Sequence, residues 1–159
     1  MNKVYIGKIV NTHGIKGELR IRSDFEFKDK VFKVKNILII DDKEYIIRTY
    51  RKHKTFDMVT LNDYSDINDV LFLKGKNVYI DKENLALNDK EVLDEDLLNY
   101  KVLTEDKIEG KVIEVFYSSP TNKVIRVLLD KEILIPYNKD FITIDKDNKT
   151  LTIKVIGGM

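Results

Sequence analysis

The residues best equipped for chemistry lie in two basic stretches. The first is THGIKGEL, Thr12 to Leu19, where a histidine, a lysine and two glycines three positions apart fall between strand-like runs. A tight hairpin needs only two turn residues of the Asn-Gly kind. Gly14 and Gly17 are explained by positive φ or by close approach of another backbone. His13 and Lys16 are not, because turns built for geometry alone favour Asn, Asp and Ser. Thr12 to Gly17 is therefore expected to offer side chains or backbone N–H groups to an anionic partner. The second stretch, Arg48, Arg51, Lys52, His53 and Lys54, ends one strand and turns into the next. Alternation in Glu18 to Arg22 puts Arg20 and Arg22 on one face, with Leu19 and Ile21 on the other. Joined to Lys16, these cations make one basic face of the kind that meets nucleic acid; taken singly they are equally a solvated hairpin tip. Tyr50 and Phe56 interleave with the charges, as base-stacking aromatics do and as core residues of barrel strands do. The G-x-x-G spacing is also that of the backbone clamp of KH domains, but that clamp joins helices and this one joins strands.

Catalytic patterns are absent. The only histidines, His13 and His53, belong to no metal-ligand spacing, and neither a G-x-S-x-G elbow nor a phosphate-binding P-loop occurs. Without cysteine there is no thiolate nucleophile, no thiolate zinc site and no disulfide. Carboxylates such as Asp145 and Asp147 fall in turns, where they serve as turn formers. No enzyme activity, metal or cofactor is expected. No window approaches the roughly 18 apolar residues of a membrane helix, and MNKVYIGKIV lacks the apolar core of a signal peptide, so a cytoplasmic location is expected.

The elements that must position these residues are mostly strands. In the first half they are Val4 to Val10, Glu18 to Arg22, Ile37 to Ile40, Glu44 to Tyr50, Thr55 to Leu61 and Asn77 to Ile80, with one short helix over Asp66 to Leu73 capped by Ser65 and ended by Gly75. Asp81 to Glu95 is acidic and aperiodic and reads as a linker. Six more runs follow: Lys101 to Leu103, Gly110 to Phe116, Val124 to Leu129, Glu132 to Ile135, Phe141 to Ile144 and Leu151 to Val155. Two small antiparallel β-barrels in tandem are expected, a six-stranded one over 1–84 and a second over 96–159, joined by 85–95; closure removes edges that such short sheets would expose. Charge divides the same way: residues 1–85 hold 17 Lys and Arg against 13 Asp and Glu, and 86–159 hold 11 against 14. A swing from +4 to −3 suggests different partners for the halves, one of them a polyanion.

The segment GKIVNTHGIKGELRI, Gly7 to Ile21, closely resembles the opening of the RimM family, bacterial ribosome maturation factors that assist 16S rRNA processing. Ser65 to Ile80, SDINDVLFLKGKNVYI, is similar to the end of that family's first barrel. The stretch DLLNYKVLTEDKIEGKVIEV from Asp96, ILIPYNKDFITID from Ile133 and the terminal IGGM resemble its second domain, a PRC-barrel. The resemblance implies a monomeric, non-enzymatic, cofactor-free factor that binds the immature 30S subunit and 16S rRNA, aids maturation of its head and contacts small-subunit ribosomal protein nineteen. It also points to a partner-binding set in the second domain. Val92 and Leu93 stand where the family carries a Tyr-Tyr pair linked to partner binding, Tyr100 supplies a nearby aromatic, and Pro136 lies in the ILIP run. A rival reading takes the PRC-barrel as a protein-interaction module of a redox or membrane-associated complex.

Overall fold

The computed structural model describes residues 2–156 and divides the chain into two compact units, residues 1–86 and 87–159. Of the terminal IGGM, residues 157–159 lie outside the described residues.

In the first unit, β1 (Lys3–His13), β2 (Glu18–Arg22), β3 (Ile37–Ile40), β4 (Lys43–His53), β5 (Phe56–Leu61) and β6 (Asn77–Asp81) form a closed barrel in the order β1-β2-β5-β4-β3-β6. Every neighbouring pair is antiparallel. Each strand sends apolar side chains inward, among them Ile9, Leu19, Leu38, Ile47, Val59 and Ile80, all fully buried. The strands long enough to curl round the barrel, β1 and β4, are also the ones that carry register breaks. In β1 they fall between Tyr5 and Gly7 and between Ile9 and Asn11, and in β4 between Ile47 and Thr49. One extra residue at each break bends the strand and increases its twist, as closure of six strands requires. Both long strands outrun their expected ends: β1 continues through Thr12 and His13, and β4 through Arg51, Lys52 and His53.

A buried ionic group sits under the helix α1 (Lys28–Val31). Asp57 is wholly buried, receives a hydrogen bond from the Tyr50 hydroxyl at 2.7 Å and pairs with the Lys28 ammonium at 2.6 Å. Phe32, next after the helix, stacks on Tyr50 with ring centroids 5.8 Å apart. An isolated carboxylate in such a place would cost several kcal/mol, so the aromatic wall and the ammonium come as a set. The second helix, α2 (Ile67–Val70), runs on into a 3-10 turn, Leu71–Leu73. Its cap is Asp66 rather than Ser65. The Asp66 carboxylate accepts from the Asn68 N–H at 2.8 Å and Asp69 accepts from the Asp66 N–H at 3.3 Å, a reciprocal capping box one residue later than expected.

The second unit holds α3 (Asp94–Leu97), β7 (Lys101–Thr104), β8 (Glu109–Ser119), β9 (Asn122–Leu128), β10 (Glu132–Pro136), β11 (Ile142–Asp145) and β12 (Thr150–Ile153) in one sheet of order β10-β9-β8-β7-β12-β11. One core takes side chains from all six strands, including Val102, Val112, Ile125, Ile135, Ile142 and Leu151, so the sheet curls about a single interior. It is not wholly antiparallel. β12 pairs with β7 in parallel, a pairing made possible by the long excursion through β8 to β11. The acidic stretch 85–95 is not a free linker either. Leu85 is buried at the end of the first unit, Val92 and Leu93 are buried, and the Lys146 ammonium donates to the Asn88 and Glu91 carbonyls at 2.9 Å each. Its few apolar residues, spaced too irregularly to read as an element, tie it down.

Removing one member of the Asp57 group tests its role. Lys28→Met should lower unfolding free energy by about 2 kcal/mol in urea titration, less than the roughly 3–5 kcal/mol of a fully buried pair because the Lys28 side chain is 27% exposed. The double variant with Asp57→Leu should recover most of the loss. Burial, and then the bond to Asp57, push the Tyr50 hydroxyl up to about 12. The unfolded chain therefore deprotonates this tyrosine first, and wild type should lose stability relative to Tyr50→Phe as pH rises from about 10 to about 12.

Candidate nucleic-acid interface

Strands β1, β2, β5 and β4 lie side by side, and their outer face gathers most of the expected basic residues. The ladder sets His13 opposite Glu18, Arg20 opposite Met58, Met58 opposite Arg51, and Phe56 opposite His53. Register breaks decide that His13 and Arg51 point outward. Counted by strict alternation from buried Ile9, His13 would face the core; the extra residue Val10 reverses the alternation and turns it out. Arg48 does the same in β4, where alternation from buried Ile47 would send Arg51 inward.

On this face the side chains meet along cross-strand diagonals. Arg20 Nη2 lies 2.9 Å from His13 Nδ1, and its guanidinium sits 5.0 Å from the centroid of the Phe56 ring. Arg51 binds Glu18 with two parallel hydrogen bonds, Nε to Oε2 at 2.9 Å and Nη2 to Oε1 at 2.7 Å. The His13 and His53 rings lie 5.4 Å apart. Met58 and Thr60, on the same outer face, are covered by this layer and are buried. The hydrogen bonds from Arg51 hold the Glu18 carboxyl below its usual range, so it is an anion that anchors a guanidinium and a poor proton acceptor at neutral pH. Burial, reinforced by Arg51, His13, Lys54 and Arg20, lowers the His53 pKa and keeps its ring neutral at pH 7. A neutral imidazole and an aromatic ring set among guanidiniums suit stacking and phosphate contact together.

The loop between β1 and β2 is the four residues Gly14 to Gly17, shorter than expected because Thr12 and His13 are strand. It is pinned to the start of α2: the N–H of its first residue, Ile67, donates to the Ile15 carbonyl at 2.9 Å. Gly17, at φ 83°, lies so close that a Cβ there would stand 3.2 Å from the Tyr64 carbonyl oxygen and 3.3 Å from the Asp66 nitrogen. Gly14, at φ 68°, faces open space. His13, Gly14, Ile15, Lys16, Glu18 and Thr60 line a cleft of about 440 Å³.

The expected residues therefore separate. His13, Arg20 and Arg51 come together, with Lys16 beside them on the loop. Thr12 alternates to the other side, opposite Leu19, and Arg22 stands at the far end of β2 opposite Lys8. Lys52 alternates away from Arg51, and Lys54 occupies the hairpin tip at φ 55°. Among the described residues, Lys16, Arg22, Lys52 and Lys54 form no ion pair and are exposed. The Glu18–Arg51 clamp is new from the structure, since only the ladder shows which guanidinium reaches that carboxylate. In the second unit the expected partner set is corrected: Val92 and Tyr100 belong to the core and Leu93 is buried, so none of the three presents a side chain as a contact surface. Apolar residues beside acidic ones fill the interior first. Pro136, half-buried, ends β10 opposite Val124.

Residues 4–85 match the model of the RimM N-terminal domain, and the chain is 34% identical to the ribosome maturation factor RimM of Staphylococcus aureus strain NCTC 8325, covering 99% of this chain and 98% of that protein. The chain belongs to the RimM family. The RimM of Staphylococcus saprophyticus is 37% identical over the same shares of both chains. Among solved structures, a 16S ribosomal RNA processing protein RimM of Pseudomonas aeruginosa is similar over 99% of this chain and 100% of its own, with 20% identity and a TM-score of 0.49. The N-terminal domain of RimM from Thermus thermophilus covers 55% of this chain, with 20% identity and a TM-score of 0.48.

The two loop glycines of this RimM-family chain should respond differently to alanine. Gly14→Ala costs only the left-handed backbone, about 1 kcal/mol, and should leave the fold intact. Gly17→Ala adds a tight backbone approach and should cost at least twice as much, measured as a fall in urea midpoint.

Proposed function

We propose that this chain is a non-catalytic assembly factor for the small ribosomal subunit, cytoplasmic and monomeric, which aids head maturation and 16S rRNA processing. The observation that carries the reading is the outer face of β1, β2, β5 and β4, where His13, Arg20 and Arg51 converge beside Lys16, in a family whose members are named ribosome maturation factors. The paired guanidiniums are held rigid by His13, Phe56 and Glu18 and position an RNA backbone; the unpaired Lys16, Arg22, Lys52 and Lys54 supply the charge that draws it in. Neutral His53 and Phe56 give unstacked bases a place to lie.

The second unit carries the opposite sign, with 11 basic against 14 acidic residues after position 85, and suits a basic protein such as small-subunit ribosomal protein nineteen. That interaction falls on its surface strands, since Val92, Leu93 and Tyr100 are interior. The redox or membrane-associated rival is not favoured: relatives similar over 99% of the chain bear the maturation-factor name, and no helix among the described residues is long and apolar enough to cross a membrane.

Affinity for purified immature 30S particles should fall linearly on a logarithmic salt scale, and Lys16→Ala with Lys54→Ala should flatten the slope by about 2, because two phosphates are no longer neutralised by a lysine. Filter binding from low to physiological salt measures it. Affinity indifferent to salt would sink the RNA-contact reading.

A further inference from the structure

The first unit has a second face of different chemistry. From Thr55 to Leu73 the chain carries four carboxylates and no cation, although the unit as a whole is basic. One of the four is the buried Asp57; the other three, Asp63, Asp66 and Asp69, are exposed around α2 and pair with no cation among the described residues. Directly after them in the chain stand large apolar side chains in water. Leu71 and Phe72 are 49% and 53% exposed, and Phe72 meets the Tyr64 ring edge-on with centroids 6.4 Å apart. The loop adjoins this patch through the bond from the Ile67 N–H to the Ile15 carbonyl, and Ile15 is 74% exposed, more than any other large apolar residue described. A loop held by its backbone while its one apolar side chain is left in solvent is shaped to put that side chain into something else.

We propose that Ile15, Leu71 and Phe72 form a protein-docking surface that takes a lysine- or arginine-rich segment of a small-subunit ribosomal protein. Its apolar side chains seat on these three residues and its cations face Asp63, Asp66 and Asp69. Nucleic acid fits poorly here, because phosphates would meet three carboxylates that pair with no cation, while the cations stand at the margins: Lys16 on the loop, exposed Lys74 just past the 3-10 turn, and Arg48, whose guanidinium already donates to the Tyr64 carbonyl at 2.6 Å. The first unit thus reads two surfaces of a nascent particle at once, RNA with β1, β2, β5 and β4, and basic protein with the α2 face. The inference rests on the proposal that the particle is the immature small subunit.

A photo-activated benzophenone side chain placed at Phe72 of the full-length protein, and in a separate sample at Lys52, tests it on purified immature 30S particles. Position 72 should cross-link to a basic peptide of one ribosomal protein, identified by mass spectrometry, and position 52 to 16S rRNA. Cross-linking from position 72 to RNA, to a second copy of this chain or to nothing would overturn the proposal. Failure at position 52 alone would count only against the RNA-contact reading. Leu71→Ser with Phe72→Ser should weaken particle binding about tenfold without changing the salt slope. Ile15→Ser removes a side chain that is mostly in solvent, so it should keep the wild-type melting temperature and still weaken binding; unchanged affinity in both variants would also overturn the proposal.

Discussion

The site depends on two single-residue interruptions in strand pairing, at Val10 and at Arg48. Side chains on a strand alternate with period two, so one inserted residue exchanges the inner and outer sets from that point on. Ile9 and Ile47 are core residues, and His13 and Arg51 each lie four positions further along, an even number that would return them to the interior. Because each strand has gained a residue on the way, both emerge on the outside. Arg20 then finds His13 across one strand boundary, and Arg51 reaches Glu18 over Met58. The same interruptions bend β1 and β4, so the geometry that closes the barrel and the geometry that assembles the basic face have one origin.

Rigidity on that face comes from within the chain. A bidentate guanidinium–carboxylate pair fixes orientation as well as charge, and a guanidinium over an aromatic ring gives up less freedom than a solvated lysine. In the proposed RNA contact Arg20 and Arg51 therefore serve shape, whereas the four exposed, unpaired cations serve attraction. Beneath them the Asp57 group holds β5, β4 and the segment from Lys28 to Phe32 together through a carboxylate, a phenol, an ammonium and two stacked rings. Such a group adds little net stability compared with an apolar replacement, but it accepts only one arrangement of its members, and so fixes how α1 meets the strands beside the site.

The legible part of the fold is the part that obeys simple periods. All twelve strand runs exist, because Ile, Val and Tyr at alternating positions state their own inner face. Reading by alternation stops at Val10 and Tyr50, at or just past the interruptions, and so the last residues of β1 and β4 look like turn. The Asp66 cap is displaced by one residue for a similar reason: Ser65 and Asp66 are both good caps, and what decides between them is which carries extended backbone, which no residue type reports. Of the site, the residue types are legible and the partnerships are not. Glu18 and Arg51 are 33 positions apart, and only the strand order joins them.

The second unit shows the limit of carrying a role by position. Val92 and Leu93 occupy the places of a family tyrosine pair, but aliphatic side chains without a hydroxyl have nothing to gain at a wet surface, and both are buried. Tyr100 enters the core with its ring, and burial raises its hydroxyl above the ordinary range, which marks an interior phenol rather than an interface one. The partner contact proposed for this unit is therefore left to side chains that the strand alternation turns outward. On β8, β9 and β10 these form rows across the sheet, with Glu114, Arg126 and Leu134 in one and Phe116, Val124 and Pro136 in the next. Arg126 is flanked by Glu114 at 3.3 Å and Glu132 at 3.6 Å, which leaves that trio with one uncompensated negative charge beside an apolar strip. An acidic rim next to an apolar strip is the same combination that surrounds α2 in the first unit, so in the proposed reading each unit offers a face of matching chemistry to basic protein, and only the first adds one suited to RNA.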